Sequence, residues 1–194
     1  MQLATGPRVH AAAGTEDEPW PPRFTKFEVE LDDGGRLAMT CSRRLGRIRL
    51  LDDPESEPPV SRLGFDPLTQ MPSARVFLEL ARRRRGMVKG VLLDQRFAAG
   101  VGNWIADEVL FQAGVAPRRR AESLTDEELA RLRSRLGAVV RKACSVDADK
   151  DRFPRTWLFH RRWGKQAGRT IGGDEVVFDE VAGRTTAWVP ARQV

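Results

Sequence analysis

The chain has 194 residues, 41% of them hydrophobic and 31% charged, with a net charge of +6, so it can bury a core while keeping a basic exterior. Cys41 and Cys144 stand far apart and in no CxxC, which indicates neither a disulfide framework nor a cysteine zinc site and suits two reduced thiols in an intracellular protein. No run of about 18 apolar residues occurs and no apolar stretch follows Met1, so neither a membrane span nor a secretory signal is expected.

Residues 1–22 are rich in Ala, Gly, Pro and acidic groups, end in "EDEPWPP" and lack periodicity, which predicts an irregular segment. "FTKFEVELDDGGRLAMT" alternates through Phe27, Val29 and Leu31, turns at "DDGG" and resumes with Leu37 and Met39, predicting a β-hairpin with one buried face. "GRIRLL" predicts a third strand, and the connector "DDPESEPPVS" closes this first region. From Ser73 the period turns helical, and three helices are predicted before residue 146. The first places Val76, Phe77, Leu80 and Ala81 on one face and ends in "RRRRG"; the second is "VGNWIADEVLFQAGVAP", with Ile105, Val109 and Ala113 on one side. The third carries a capping box at Thr125 and Glu128, a staple between Leu124 and Leu129, and a stripe of Leu129, Leu132, Leu136, Val139, Val140 and Ala143. After "DRFPRTW" strand character returns, and "EVVFDEVAGRTTAWVP" predicts a closing hairpin turned near Ala182 and Gly183. The fold class is α+β.

Chemistry concentrates where the second helix begins. Gly100 and Gly102 permit a tight turn and a close approach, and the amides after them have no partner inside the helix, which suits an anion. The 33 basic residues include only five lysines, at 26, 89, 142, 150 and 165. The arginine excess suits forked contacts to phosphate, and a GC-rich genome would produce the same bias. Basic clusters fall at element ends and turns: Arg43 and Arg44, Arg82 to Arg85, Arg118 to Arg120, Arg161 and Arg162, and Arg184. Backbone amides are also available to phosphate at such places. Asp107 and Glu108 are adjacent on the helix and point apart, so structural pairing is expected of them rather than joint acid–base work. Trp104 and Trp188 are expected as core or interface aromatics. His10 and His160 are isolated, and with Cys41 and Cys144 they cannot assemble a four-ligand zinc site, so no metal and no cofactor is expected.

"LLDQRFAAGVGNWIADEVLFQAGVAP" resembles the helix-two-turn-helix signature of the formamidopyrimidine-DNA glycosylase and endonuclease VIII family, which removes oxidised bases from DNA. "FEVELDDGGRLAMTCSRRLGRIRLL" resembles the end of that family's N-terminal β-sandwich, and "EVAGRTTAWVPARQV", with "WLFHRRWGK" before it, resembles its C-terminal finger in the zincless form of plant-like members. The likeness runs from about Trp20 to the C-terminus with three motifs in the family's order. It implies an irregular segment at 1–22, a remnant of the β-sandwich at 23–52, a helix-two-turn-helix domain at 66–150 and a zincless finger hairpin at 155–194. Family enzymes carry a proline nucleophile and a glutamate at the mature N-terminus, whereas this chain begins "MQLATG" with neither in place. An N-terminal catalytic segment is therefore expected to be lacking, as in a truncated gene model, a fragment or a short paralogue.

Residue by residue, the resemblance implies that Asn103 holds the backbone phosphate at the lesion, the alternative being an asparagine that merely caps the helix. Arg184 matches the finger arginine that grips adjacent phosphates and donates a proton in the second elimination; the alternative is a solvated turn arginine. Arg43 matches the arginine that enters the void left by the flipped base, and Leu45 replaces its aromatic partner as the wedge. Arg84 and Lys89 fall where the family places further phosphate contacts. The implied partner is double-stranded DNA with an oxidised base or abasic site, bound by a nuclear, monomeric protein with no membrane attachment. The implied activity is glycosylase and abasic-site lyase; a non-catalytic damaged-DNA binding module is the alternative, and an RNA-binding protein of ribosomal kind fits less well, since it needs neither the sheet nor the arginine hairpin. Without the proline the chain is expected to bind abasic DNA yet form little borohydride-trappable adduct.

Overall fold

The computed structural model describes residues 8–12, 20–164 and 168–194, the first of these stretches as backbone only. Lys165 and the side chain of His10 lie outside the described residues. The chain divides once, into a unit of residues 1–53 and a unit of residues 54–194.

In the first unit, β1 (Arg8–Ala12), β2 (Thr25–Glu30) and β3 (Arg36–Thr40) form an antiparallel sheet in the order β1-β3-β2. The expected hairpin is β2–β3, with Phe27 opposite Met39 and Val29 opposite Leu37. Its turn needs Gly34, whose φ is +82°, and Asp33 Oδ1 accepts the Gly35 N–H at 2.8 Å. Two expectations are corrected here. The segment read as irregular contains β1, which pairs along β3 from Arg8↔Thr40 to Ala12↔Arg36; pairing with a distant strand supplies order that composition cannot display. "GRIRLL" is not a strand: residues 46–51 join neither edge of the β1-β3-β2 sheet, and Leu50 is fully exposed. The buried face is also thinner than the alternation implied. Ala38 and Thr40 are buried, whereas Phe27 and Leu31 remain largely exposed.

In the second unit, α1 (Ala74–Arg82), α2 (Val88–Leu93), α3 (Asn103–Ala113) and α4 (Asp126–Ser145) enclose one core. The capping box forms as expected, Thr125 Oγ1 accepting from Glu128 N and Glu128 Oε2 from Thr125 N, and Leu129, Leu132, Leu136 and Val139 are buried along α4. Each buried leucine contributes roughly 1.5–3 kcal/mol. On α1 the face is rotated: Phe77 and Ala81 are buried, while Val76 is exposed. Phe77 meets Phe65 and Phe97 edge-on, with ring centroids 5.9 and 5.6 Å away. The helix α2 was not expected, because six residues are too few to show a helical period.

The finger follows as short β4 (Thr170–Ile171) and β5 (Asp174–Glu175), then β6 (Val177–Val181) and β7 (Arg184–Trp188). The β6–β7 turn is Ala182-Gly183 with φ of +52° and +68°, the two-residue turn that matches strand twist. Val177 and Trp188 are half-buried, and the core here is Leu158, Ile171, Val176, Ala187 and Val189. Trp104 packs in the core region against Phe153 and Phe159, as expected of it.

Candidate nucleic-acid interface

The turn before α3 is built by a side chain that sequence reading passed over. Gln95 Oε1 accepts the Gly100 N–H at 2.9 Å, and its Nε2 donates to the Leu93 and Val101 carbonyls, both at 3.1 Å. Gly100 takes φ +77°, which a glycine accepts without strain. Gly102 is different. Its backbone is extended, and a Cβ added there would meet only open space. Neither conformation nor packing against the described residues demands a glycine at 102, and the glycine leaves the start of α3 open to approach. No side chain caps that helix, leaving its first N–H groups available to an external acceptor.

Asn103 is the first residue of α3 and not its cap, which removes the capping alternative. Its Nδ2 donates to the Thr185 carbonyl at 2.8 Å, tying the helix start to β7 of the finger. One of the two Nδ2 hydrogens is used there and one remains. Asn103 Oδ1 is buried with no hydrogen bond to a described residue, so it is not the atom that faces an anion.

Arg184 opens β7 directly beyond the hairpin turn and is exposed. The tip of that hairpin rests on α2: a Cβ at Gly90 would stand 3.3 Å from the Ala182 Cβ. Arg83, Arg84, Arg85 and Ala182 line a groove at the same place. Arg84 is held there by an ion pair with Asp94 at 2.9 Å and a bond to the Arg96 carbonyl at 2.9 Å, so its guanidinium is oriented and part-exposed.

Lys89 is corrected. Expected as a phosphate contact, it is 0% exposed and faces inward. Its Nζ forms an ion pair with Asp107 Oδ1 at 2.7 Å and donates to Thr186 Oγ1 at 2.7 Å and to the Thr185 carbonyl at 3.2 Å. Burial pulls its pKa below the ordinary lysine range, and the Asp107 carboxylate opposes that pull. Asp107 Oδ2 accepts from Arg162 at 2.9 Å and from the Ala187 N–H at 3.1 Å, which realises the structural pairing expected of it. Beside it, Glu108 is buried, accepts from Gln112 Nε2 and Phe159 N, both at 2.8 Å, and has its pKa pushed up to about 7 by desolvation. Arg43 and Leu45 belong to the first unit. They sit on the turn that follows β3, where Cys41 Sγ accepts the Gly46 N–H at 3.3 Å; Arg43 is exposed and Leu45 is 71% exposed.

Residues 63–154 match the family described as "Formamidopyrimidine-DNA glycosylase H2TH domain". A formamidopyrimidine-DNA glycosylase of Arabidopsis thaliana is 42% identical over 182 residues, covering 94% of this chain and 47% of that protein. One of Desulfitobacterium hafniense is 34% identical over 209 residues, covering 98% of this chain and 72% of that protein. The chain belongs to the formamidopyrimidine-DNA glycosylase family.

The fold agrees. The Lactococcus lactis family member, non-covalently bound to DNA containing an AP site, superposes with a TM-score of 0.75 at 23% identity, over 96% of this chain and 70% of that one. The same protein with DNA containing FAPY-dG gives 0.77 at 23% identity, over 97% and 71%. The chain thus spans about half the length of its Arabidopsis relative and under three quarters of the bacterial ones. The glycosylase family's helix-two-turn-helix match ends at 154, and the finger that follows it is welded to α3 by Asn103, Asp107 and Glu108.

Proposed function

We propose that the protein is a base-excision-repair DNA glycosylase and abasic-site lyase that acts on oxidised bases, and that this chain supplies its grip on the DNA backbone. The observation that carries the reading is convergence. Asn103, on an uncapped helix start behind an open glycine, and Arg184, at a hairpin tip, meet through the single residue Thr185. An amide donor, free helix N–H groups and a planar guanidinium are what a phosphate diester needs, and none of them reads base sequence. Arg84 and Arg43 extend the contacts, Leu45 is the wedge at the flipped base, and Arg184 donates a proton in the second elimination. The partner is duplex DNA with an oxidised base or abasic site, inside the cell and in the nucleus.

The test is a fluorescence-anisotropy titration of the full chain with a duplex bearing a stable abasic-site analogue, repeated over salt. With about four to six phosphate contacts, the logarithm of affinity falls with log salt at a slope near −4 to −5. Asn103→Ala and Arg184→Ala each weaken binding, and Arg184→Ala also flattens the slope by about 1, since only the arginine carries a charge that displaces a counterion. Wild-type affinity and slope in both variants would falsify the grip.

One observation favours a purely binding role for the 54–194 unit taken by itself. Lys89, which is bonded to the same Thr185 carbonyl as Asn103, is buried and surrounded by three oxygens, so an imine with the abasic sugar requires an amine from elsewhere.

A further inference from the structure

Lys89 is a buried cation placed where three elements meet. It rises from α2, faces Asp107 on α3 and donates to Thr185 and Thr186 on β7. An ammonium has three N–H groups, and three oxygens surround this one. Two of those oxygens lead straight to the phosphate grip. The Thr185 carbonyl that receives Lys89 also receives Asn103 Nδ2 at 2.8 Å, and the Thr186 hydroxyl that accepts from Lys89 donates onward to the Arg184 carbonyl at 3.0 Å. Asp107 closes the circuit by holding the Ala187 N–H, one residue further along the same strand. From 184 to 187 every residue of β7 is therefore tied to the Lys89–Asp107 pair, directly or through one hydroxyl.

A mere core filler would not be built this way. An unpaired buried charge costs several kcal/mol, and a leucine or methionine would fill the same space without it. What the ion pair adds is direction: it fixes which way the Thr185 carbonyl and the Thr186 hydroxyl point, and so where Asn103 and Arg184 stand.

We propose that Lys89 is the positioning residue of the phosphate grip, its buried ammonium setting the distance and orientation between Asn103 on α3 and Arg184 on β7 as a structural cation would. This rests on the grip described under the proposed function. Lys89 touches no phosphate itself; it acts through Thr185 and Thr186.

The experiment is a double-mutant cycle in the full chain, read as affinity for the abasic-analogue duplex over a salt series, with far-UV circular dichroism and thermal unfolding of every variant. Lys89→Met removes the cation at similar volume. Thr186→Val removes only the hydroxyl relay and keeps the shape, so it carries the test where Lys89→Met fails to fold. In a folded variant, affinity drops about 10-fold or more and the salt slope flattens by up to about 1, because a mispositioned Arg184 no longer displaces its counterion. In a background of Asn103→Ala with Arg184→Ala, the same substitution changes affinity by less than about 2-fold. A fully additive loss in that background overturns the proposal, since a general structural role would persist without the grip; unchanged affinity and slope in both Lys89→Met and Thr186→Val overturns it too. If Asn103→Ala and Arg184→Ala themselves leave binding intact, the grip has failed and the positioning role falls with it, an outcome distinct from additivity.

Discussion

Substituting Glu108 tests how the finger is joined to α3. The carboxylate is buried, holds the Phe159 N–H and Gln112 Nε2, and has no cation bonded to it among the described residues. Desolvation lifts its pKa from 4.5 to about 7, and the two donated hydrogen bonds offset only part of that rise. The sign follows from which state holds the proton. Between pH 4.5 and 7 the unfolded chain has released it and the folded chain has not, so stability is full below 4.5, falls as pH rises through 7, and then levels. A gap of about 2.5 pH units corresponds to roughly 3 kcal/mol. Glu108→Gln keeps the acceptor for Phe159 N–H and removes the charge; Gln112 turns its own amide to accept from the new one. In urea unfolding, the variant should exceed the wild type by roughly 2–3 kcal/mol at pH 8, with the difference closing as pH approaches 4.5. A variant less stable at pH 8, or a difference that does not vary with pH, would refute the reasoning.

A Cβ at Gly64 would stand 2.2 Å from the Phe97 carbonyl oxygen, so Gly64→Ala should cost several kcal/mol in the same unfolding assay, and a loss below about 1 kcal/mol would contradict the packing. Thr125→Ala opens the capping box of α4 and should cost about 1 kcal/mol, with Asn and Ser at the same position restoring most of it. Borohydride trapping on abasic duplex, followed by peptide mapping, should yield no adduct at Lys89; a Lys89 adduct would show that its ammonium reaches the DNA.

The local signals that proved readable are those whose physics is local. The capping box at Thr125 and Glu128, the stripe on α4, the β2–β3 hairpin and the turn at Ala182-Gly183 each depend on residues within a few positions of one another, so spacing alone exposes them. The glycines before Asn103 were legible for the same reason, whereas Arg184 was singled out by the family resemblance. What spacing does not carry is which side chain a fold turns inward. Lys89 and Arg84 read alike as basic residues near element ends; burial against Asp107 and β7 makes one an internal cation, and pairing with Asp94 leaves the other oriented at the surface. Gln95 left no mark in the sequence, because its role is to close a turn whose other half it cannot announce. "GRIRLL" reads as a strand, yet a strand exists only where it pairs with a neighbour, and residues 46–51 pair with no described strand. The sequence by itself showed the elements whose signals are local, in their order; only the tertiary structure decided β1, α2 and the partners of each element, because burial and pairing are properties of two segments at once.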